Sequence, residues 1–214
     1  PNGITANITP APLGITVTAV YSGTTTITPA TFAVTGLVNG ETITGISSAV
    51  VANINVAGNL TNYVRSIAIS GGTALASNYA FSTAANTTAG TSLNTVTLSR
   101  KTITVTGTLA DTKVYDGTTN VNVWGGVLNG VIGADVVTLS QAGSLASANA
   151  STTAAVVIND SIGGSAAGNY TLVQPTGVTT VVTPKILTVS DGTVAHKTYD
   201  GTTNATISGG ALVG

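Results

Sequence analysis

The sequence predicts an all-β protein, and three observations predict it. Apolar and hydroxyl residues alternate in run after run, Gly paired with Asn or Asp interrupts the runs, and good helix formers are scarce beside Thr, Val, Ile and Gly. Thr and Gly alone supply 41 and 26 of the 214 residues.

The elements follow in order. Ile15-Thr16-Val17-Thr18-Ala19-Val20, Thr42-Ile43-Thr44, Thr95-Val96-Thr97-Leu98 and Thr102-Ile103-Thr104-Val105-Thr106 each place hydroxyls on one face and branched apolar side chains on the other. A period of two is the pattern of a half-buried strand, and β-branched residues suit its pleat. Breaks fall at Asn39-Gly40, Asp116-Gly117, Asn129-Gly130, Asp191-Gly192 and Asp200-Gly201. Short antiparallel strands with such punctuation predict a sandwich or barrel.

The chain repeats itself. Lys101–Gly130 and Lys185–Gly214 are identical at 14 of 30 positions without a gap, around a shared Lys-x-Tyr-Asp-Gly-Thr-Thr-Asn at Lys113–Asn120 and Lys197–Asn204. Tyr115 and Tyr199 are thus 84 residues apart, and a degenerate copy, Tyr21-Ser22-Gly23-Thr24-Thr25, stands 94 residues before Tyr115. Ala76-Ser77-Asn78-Tyr79 matches Ala167-Gly168-Asn169-Tyr170, and Pro1-Asn2-Gly3-Ile4 through Pro10 matches Pro175-Thr176-Gly177-Val178 through Pro184. The expected organisation is the last strand of one repeat (1–10), a degenerate first repeat (11–100), a second repeat (101–184) and the opening part of a third (185–214). By this reading the chain is an internal piece of something larger.

A unit of this length exceeds a solenoid rung and matches one immunoglobulin-like sandwich. Strands are expected near 102–108, 112–115, 120–124, 135–140, 154–159, 169–174 and 178–183. Thr183-Pro184-Lys185 and Thr9-Pro10-Ala11-Pro12 leave almost no linker, and Pro restrains itself and the residue before it, so tandem sandwiches should form an elongated rod.

Composition excludes several functions. Six Lys and Arg, against seven Asp and Glu, cannot supply the basic footprint that nucleic acid requires. No Cys and a single His, His196, leave no zinc, haem or iron–sulfur ligand set and no thiol nucleophile. No apolar run nears membrane-spanning length, the longest being Ala154–Ile158. No acid–base pair recurs, so the expectation is that the chain is not an enzyme and uses no cofactor.

Tyr-Asp-Gly-Thr-Thr-Asn near the start of a repeat, Asn-Tyr-Thr-Leu near its end and Thr-Pro-Lys into the next resemble the YDG and MBG repeats of filamentous-haemagglutinin-like adhesins. The first repeat is closer to the MBG type and the second and third to the YDG type. The resemblance implies an extracellular stalk or matrix scaffold at a bacterial cell surface, exported by two-partner secretion and acting in adhesion or biofilm. Its implied partners are neighbouring repeats, other copies of itself, or surface polysaccharide. It implies no catalytic residue.

Individual residues read as follows. Asp116-Gly117 and Asp200-Gly201, behind Tyr115 and Tyr199, form structural turns in which the carboxylate caps nearby N–H groups; one Asp per copy is too few for calcium. Trp124, whose counterpart in the third repeat is Ser208, is the one candidate ligand contact. Tyr79 and Tyr170 bury their rings and tie their hydroxyls to backbone, like a tyrosine corner. Asn7, Asn59, Asn86, Asn149, Asn159, Asn169 and Asn204 stand in glycosylation sequons. The expected function is a structural stalk segment. Its rivals are a filament subunit completed by strand pairing between chains and a carbohydrate-binding module.

Overall fold

A computed structural model describes residues 6–87 and 93–214. The chain is all-β. Its helical elements among the described residues are three short 3₁₀ segments, Val56–Thr61, Ala76–Asn78 and Ala167–Asn169. Two compact units arise. One takes the described residues to Thr106 with Val127–Ser140 and Ser161–Gln174, and the other takes Gly107–Gly126, Gln141–Asp160 and Pro175–Gly214, so the second sequence repeat contributes to both.

In the first unit, Gly14–Val20 is the centre of a three-stranded sheet, antiparallel to Thr31–Thr35 and parallel to Asn94–Ser99. A second sheet joins Thr26–Ile27, Ile43–Val51 and Val64–Gly72, all antiparallel. Alternation sends Ile15, Val17 and Ala19 inward from the first sheet, where they share a core with Ile46, Ala49 and Val51 of the second. Each Val or Ile among them contributes roughly 1.5–3 kcal/mol of burial. Asn94 is fully buried within it and is satisfied there: its amide oxygen accepts from Val64 N–H and its nitrogen donates to Val64 and Ser82 carbonyls.

The same unit holds a sheet of Val127–Asn129, Lys101–Thr106 and Tyr170–Val173, with the last pair parallel. Thr138–Ser140 pairs with Ser161–Gly163. A second core gathers Tyr21, Ile103, Ala166 and Tyr170.

In the second unit, Lys113–Val114, Thr179–Thr183, Ser151–Ile158 and Gly143–Leu145 form one sheet in that order. Its core holds Val123, Leu145, Ala154, Val156, Ile158 and Val182. Leu109–Ala110 pairs with Val123–Trp124. Residues 185–214 form two antiparallel pairs, Thr188–Ser190 with Ala211–Val213 and Thr193–Val194 with Ile207–Ser208. Their registers repeat those of residues 101–130: Thr188↔Val213 follows Thr104↔Asn129, and Thr193↔Ser208 follows Leu109↔Trp124.

Three expectations need amendment. The sheets are mixed rather than antiparallel, with parallel pairings at Ala11–Pro12 with Tyr79–Ala80, Gly14–Val20 with Asn94–Ser99, Lys101–Thr106 with Tyr170–Val173, and Lys113–Val114 with Thr179–Thr183. Alternation reports that one face of a strand is buried; it usually accompanies antiparallel pairing, but these mixed sheets keep it because each has one buried and one exposed face. The strands Val127–Asn129, Gly143–Leu145 and Ser161–Gly163 were not expected; the last two each hold one large apolar residue, and none is long enough to show a period. Of the segment read as 1–10, residues 1–5 lie outside the described residues, and residues 6–10 carry no strand.

Candidate functional site

The Tyr-Asp-Gly turn is built around a lysine. Asp116 Oδ1 lies 2.8 Å from Lys113 Nζ and accepts from the Thr118 N–H and hydroxyl, both at 2.9 Å. Lys113 Nζ also donates to the Thr118 and Asn120 carbonyls. Gly117 lies at φ +77°, a left-handed conformation that a side chain would strain. Lys197, Asp200, Gly201 and Thr202 repeat the arrangement, with Nζ–Oδ1 again 2.8 Å and Gly201 at φ +72°. The Lys113 ammonium, with the two Thr118 donors, lowers the Asp116 carboxyl to about 2. Asp200 is lowered for the same reasons. Each carboxylate is therefore paired with a lysine of its own turn. No group of three or more His, Asp or Glu able to hold a metal occurs among the described residues.

Trp124 lies across the strand pair from Leu109, and both are about half exposed. Its indole N–H donates to Asp111 Oδ1 at 2.7 Å, while Asn122 donates to Asp111 Oδ2 at 2.8 Å. The indole N–H is thus partnered by a neighbouring side chain, while the residue as a whole stays about half exposed.

The most elaborate polar site lies elsewhere. The Tyr170 ring is 2 % exposed, and its hydroxyl accepts from Ile132 N–H at 3.0 Å and donates to Asp135 Oδ2 at 2.5 Å. Ile132–Asp135 is a β-turn, closed by Asp135 N–H donating to the Ile132 carbonyl, with Gly133 at φ +47°. Tyr79 repeats this in the first repeat. Its hydroxyl accepts from Val38 N–H at 3.2 Å and donates to Glu41 Oε2 at 2.5 Å, across a turn with positive φ at both Asn39 and Gly40. Each tyrosine follows a 3₁₀ turn whose last bond runs from its own N–H, to the Ala76 or Ala167 carbonyl. The expected tie to backbone is present, with a carboxylate that sequence reading missed. Its signal was available: an acid closing a Gly-containing turn, 38 and 35 residues before the two tyrosines.

Tyr21 completes the second of these sites. It is 3 % exposed, donates to the same Asp135 Oδ2 at 2.8 Å, and meets the Tyr170 ring edge-on, with centroids 5.5 Å apart. Beside it, Asn169 accepts from Val56 N–H and donates to Asn55 Oδ1, both at 2.9 Å. Burial, followed by the Asp135 carboxylate, pushes the Tyr21 hydroxyl up to about 12 and raises that of Tyr170. The site joins the first repeat, through Tyr21, Asn55 and Val56, to the second, through Asp135, Asn169 and Tyr170. Its equivalents of Tyr21 differ sharply: Tyr115 is 41 % exposed and Tyr199 is 93 % exposed.

A YDG domain spans residues 99–178. The YDG span contains the Lys113–Asp116 turn, Trp124 and the Asp135–Tyr170 pair. No curated protein and no solved structure matches the chain significantly. No helix among the described residues is long and apolar enough to cross a membrane. Two sequon amides are already engaged: Asn59 exchanges two hydrogen bonds with the Leu98 backbone, and Asn169 is buried against Asn55 and Val56.

Proposed function

We propose that this chain is a stalk or scaffold segment of a large secreted bacterial surface protein, acting in adhesion or biofilm, with tandem immunoglobulin-like sandwiches stacked into a rod. The observation that carries the reading is the Tyr21–Asp135–Tyr170 contact. A buried, charge-assisted contact holds Asp135 and Tyr170 of the second repeat against Tyr21 of the first, whereas a flexible linker would leave them free of one another. The YDG domain and the identical strand registers of residues 101–130 and 185–214 support a chain built by repetition. Its chemistry is then that of length and stiffness.

The test is electron microscopy of native material sheared from the cell surface, together with small-angle scattering of the 214-residue chain. Thin rods one chain wide and an elongated monomer are expected. A compact scattering profile or an obligate dimer overturns the reading.

A further inference from the structure

Tyr115 stands where Tyr21 stands in the repeat before it. Tyr21 N–H donates to the Ser99 carbonyl at 2.9 Å, and Tyr115 N–H donates to the Thr183 carbonyl at 2.8 Å. Each directly follows a strand running parallel to the last strand of its own repeat. The surroundings correspond as well. Val51 pairs with Val64 in the first repeat, and Leu145 pairs with Val156 in the second. The loops inside those pairs carry Asn55, whose N–H bonds Asn53 Oδ1, and Asn149, whose N–H bonds Ser147 Oγ. Asn149 and Ala150 therefore take the places of Asn55 and Val56, the two residues that hold Asn169.

The two faces differ in what covers them. In the first repeat, Tyr21 and Val56 pack into the core that contains Ile103, Ala166 and Tyr170. In the second, a hollow of about 230 Å³ lies open between Ala150, Val182, Thr183 and Pro184, and the backbone of Tyr115 is anchored to one of its walls. Val114 and Tyr115, whose backbones pair with Thr183 in that wall, are both exposed.

We propose that Tyr115, Asn149 and Ala150 form the docking face for a complete repeat of the same type placed after Pro184. Tyr115 donates its hydroxyl to the acid of that repeat's β-turn and lays its ring edge-on against the tyrosine of its Asn-Tyr pair, while Asn149 and Ala150 hold the adjoining asparagine. The tyrosine of the Tyr-Asp-Gly motif is thus a joint, and the Lys–Asp–Thr turn behind it fixes the backbone from which the ring projects. This rests on the stalk reading and names its repeat-to-repeat contact.

The test appends a second copy of Val131–Pro184 after Gly214, which completes the third repeat because Gly214 takes the place of Gly130. Tetranitromethane nitration, located by mass spectrometry, reads exposure of each tyrosine. In the extended chain Tyr115 should nitrate as slowly as Tyr21, and Asp→Ala at the appended copy of Asp135 should return it to its rate in the 214-residue chain. Tyr115→Phe, mild because the ring is exposed now, should lower the melting temperature of the extended chain alone. If the appended copy of Tyr170 is protected while Tyr115 keeps its original rate, the docking face is overturned and the stalk reading stands. If Tyr115 is protected in a chain that scatters as a compact particle, the docking face stands and the stalk reading falls.

Discussion

Tyr21 and Tyr170 meet edge to face at 79° between ring planes, and both hydroxyls donate to one oxygen of Asp135. The carboxylate thus serves two tyrosines from different repeats. Removing one hydroxyl leaves it partnered by the other, and removing a ring opens the core between them.

Tyr21→Phe should therefore cost about 1–2 kcal/mol, the loss of one hydrogen bond to a charged group with its acceptor still engaged. Tyr21→Ala should cost about 3–5 kcal/mol, since a cavity is added. Tyr115→Phe in the 214-residue chain should stay within about 0.5 kcal/mol, as an exposed substitution. Urea unfolding of the three variants checks the order.

Alkali should loosen the first unit. The Tyr21 hydroxyl ionises near 10 in the unfolded chain and at about 12 when folded, so the folded form holds its proton over that interval and the unfolded form releases it. The stability Tyr21 contributes is complete below pH 10 and falls as pH rises toward 12. Tyr79 and Tyr170 shift in the same direction. Melting temperature against pH should drop over this range, and Tyr21→Phe should make the drop shallower.

The Asp116 turn titrates in the opposite sense. Its carboxyl lies at about 2 against 3.8 unfolded, so its contribution is present above pH 3.8 and is lost as pH falls through 2. Carbon-detected NMR should place the Asp116 midpoint near 2. Lys113→Met, which removes the ammonium but keeps the stem, should raise it. A midpoint unmoved by that change would mean that Thr118 alone sets the shift.

Gly72, among the described residues, is closed to any side chain. It lies at φ +111°, and a Cβ there would stand 2.1 Å from the Thr42 carbonyl oxygen. Gly164 repeats the situation at φ +100°, 2.4 Å from the Val136 carbonyl. Ala at either position should cost about 2–4 kcal/mol, from positive-φ strain and backbone displacement together. Thermal melts that stay level would show that these turns relax freely.

Strand identity was legible wherever alternation ran long, as in Gly14–Val20, Asn94–Ser99 and Lys101–Thr106. The repeat was legible because Lys113–Asn120 returns almost unchanged at Lys197–Asn204. The junction was not. Tyr21 belongs to a degenerate copy of the motif, and its acceptor Asp135 lies 114 residues away, so no spacing in the sequence pairs the two. Parallel pairing was hidden for the same physical reason: a strand's side chains record its burial, while its partner is chosen by backbone groups that every residue carries.

That parallel pairing has a mechanical consequence. Gly14–Val20 opens the first repeat and Asn94–Ser99 closes it, and they lie side by side from Ile15↔Asn94 to Val20↔Ser99. Tension applied through the chain pulls the two strands in opposite directions along their shared axis. Their hydrogen bonds are then loaded in shear and must fail together instead of one at a time. A pulled repeat should resist until it gives way in one step, read in single-molecule extension as an abrupt gain in length governed by the unfolding rate.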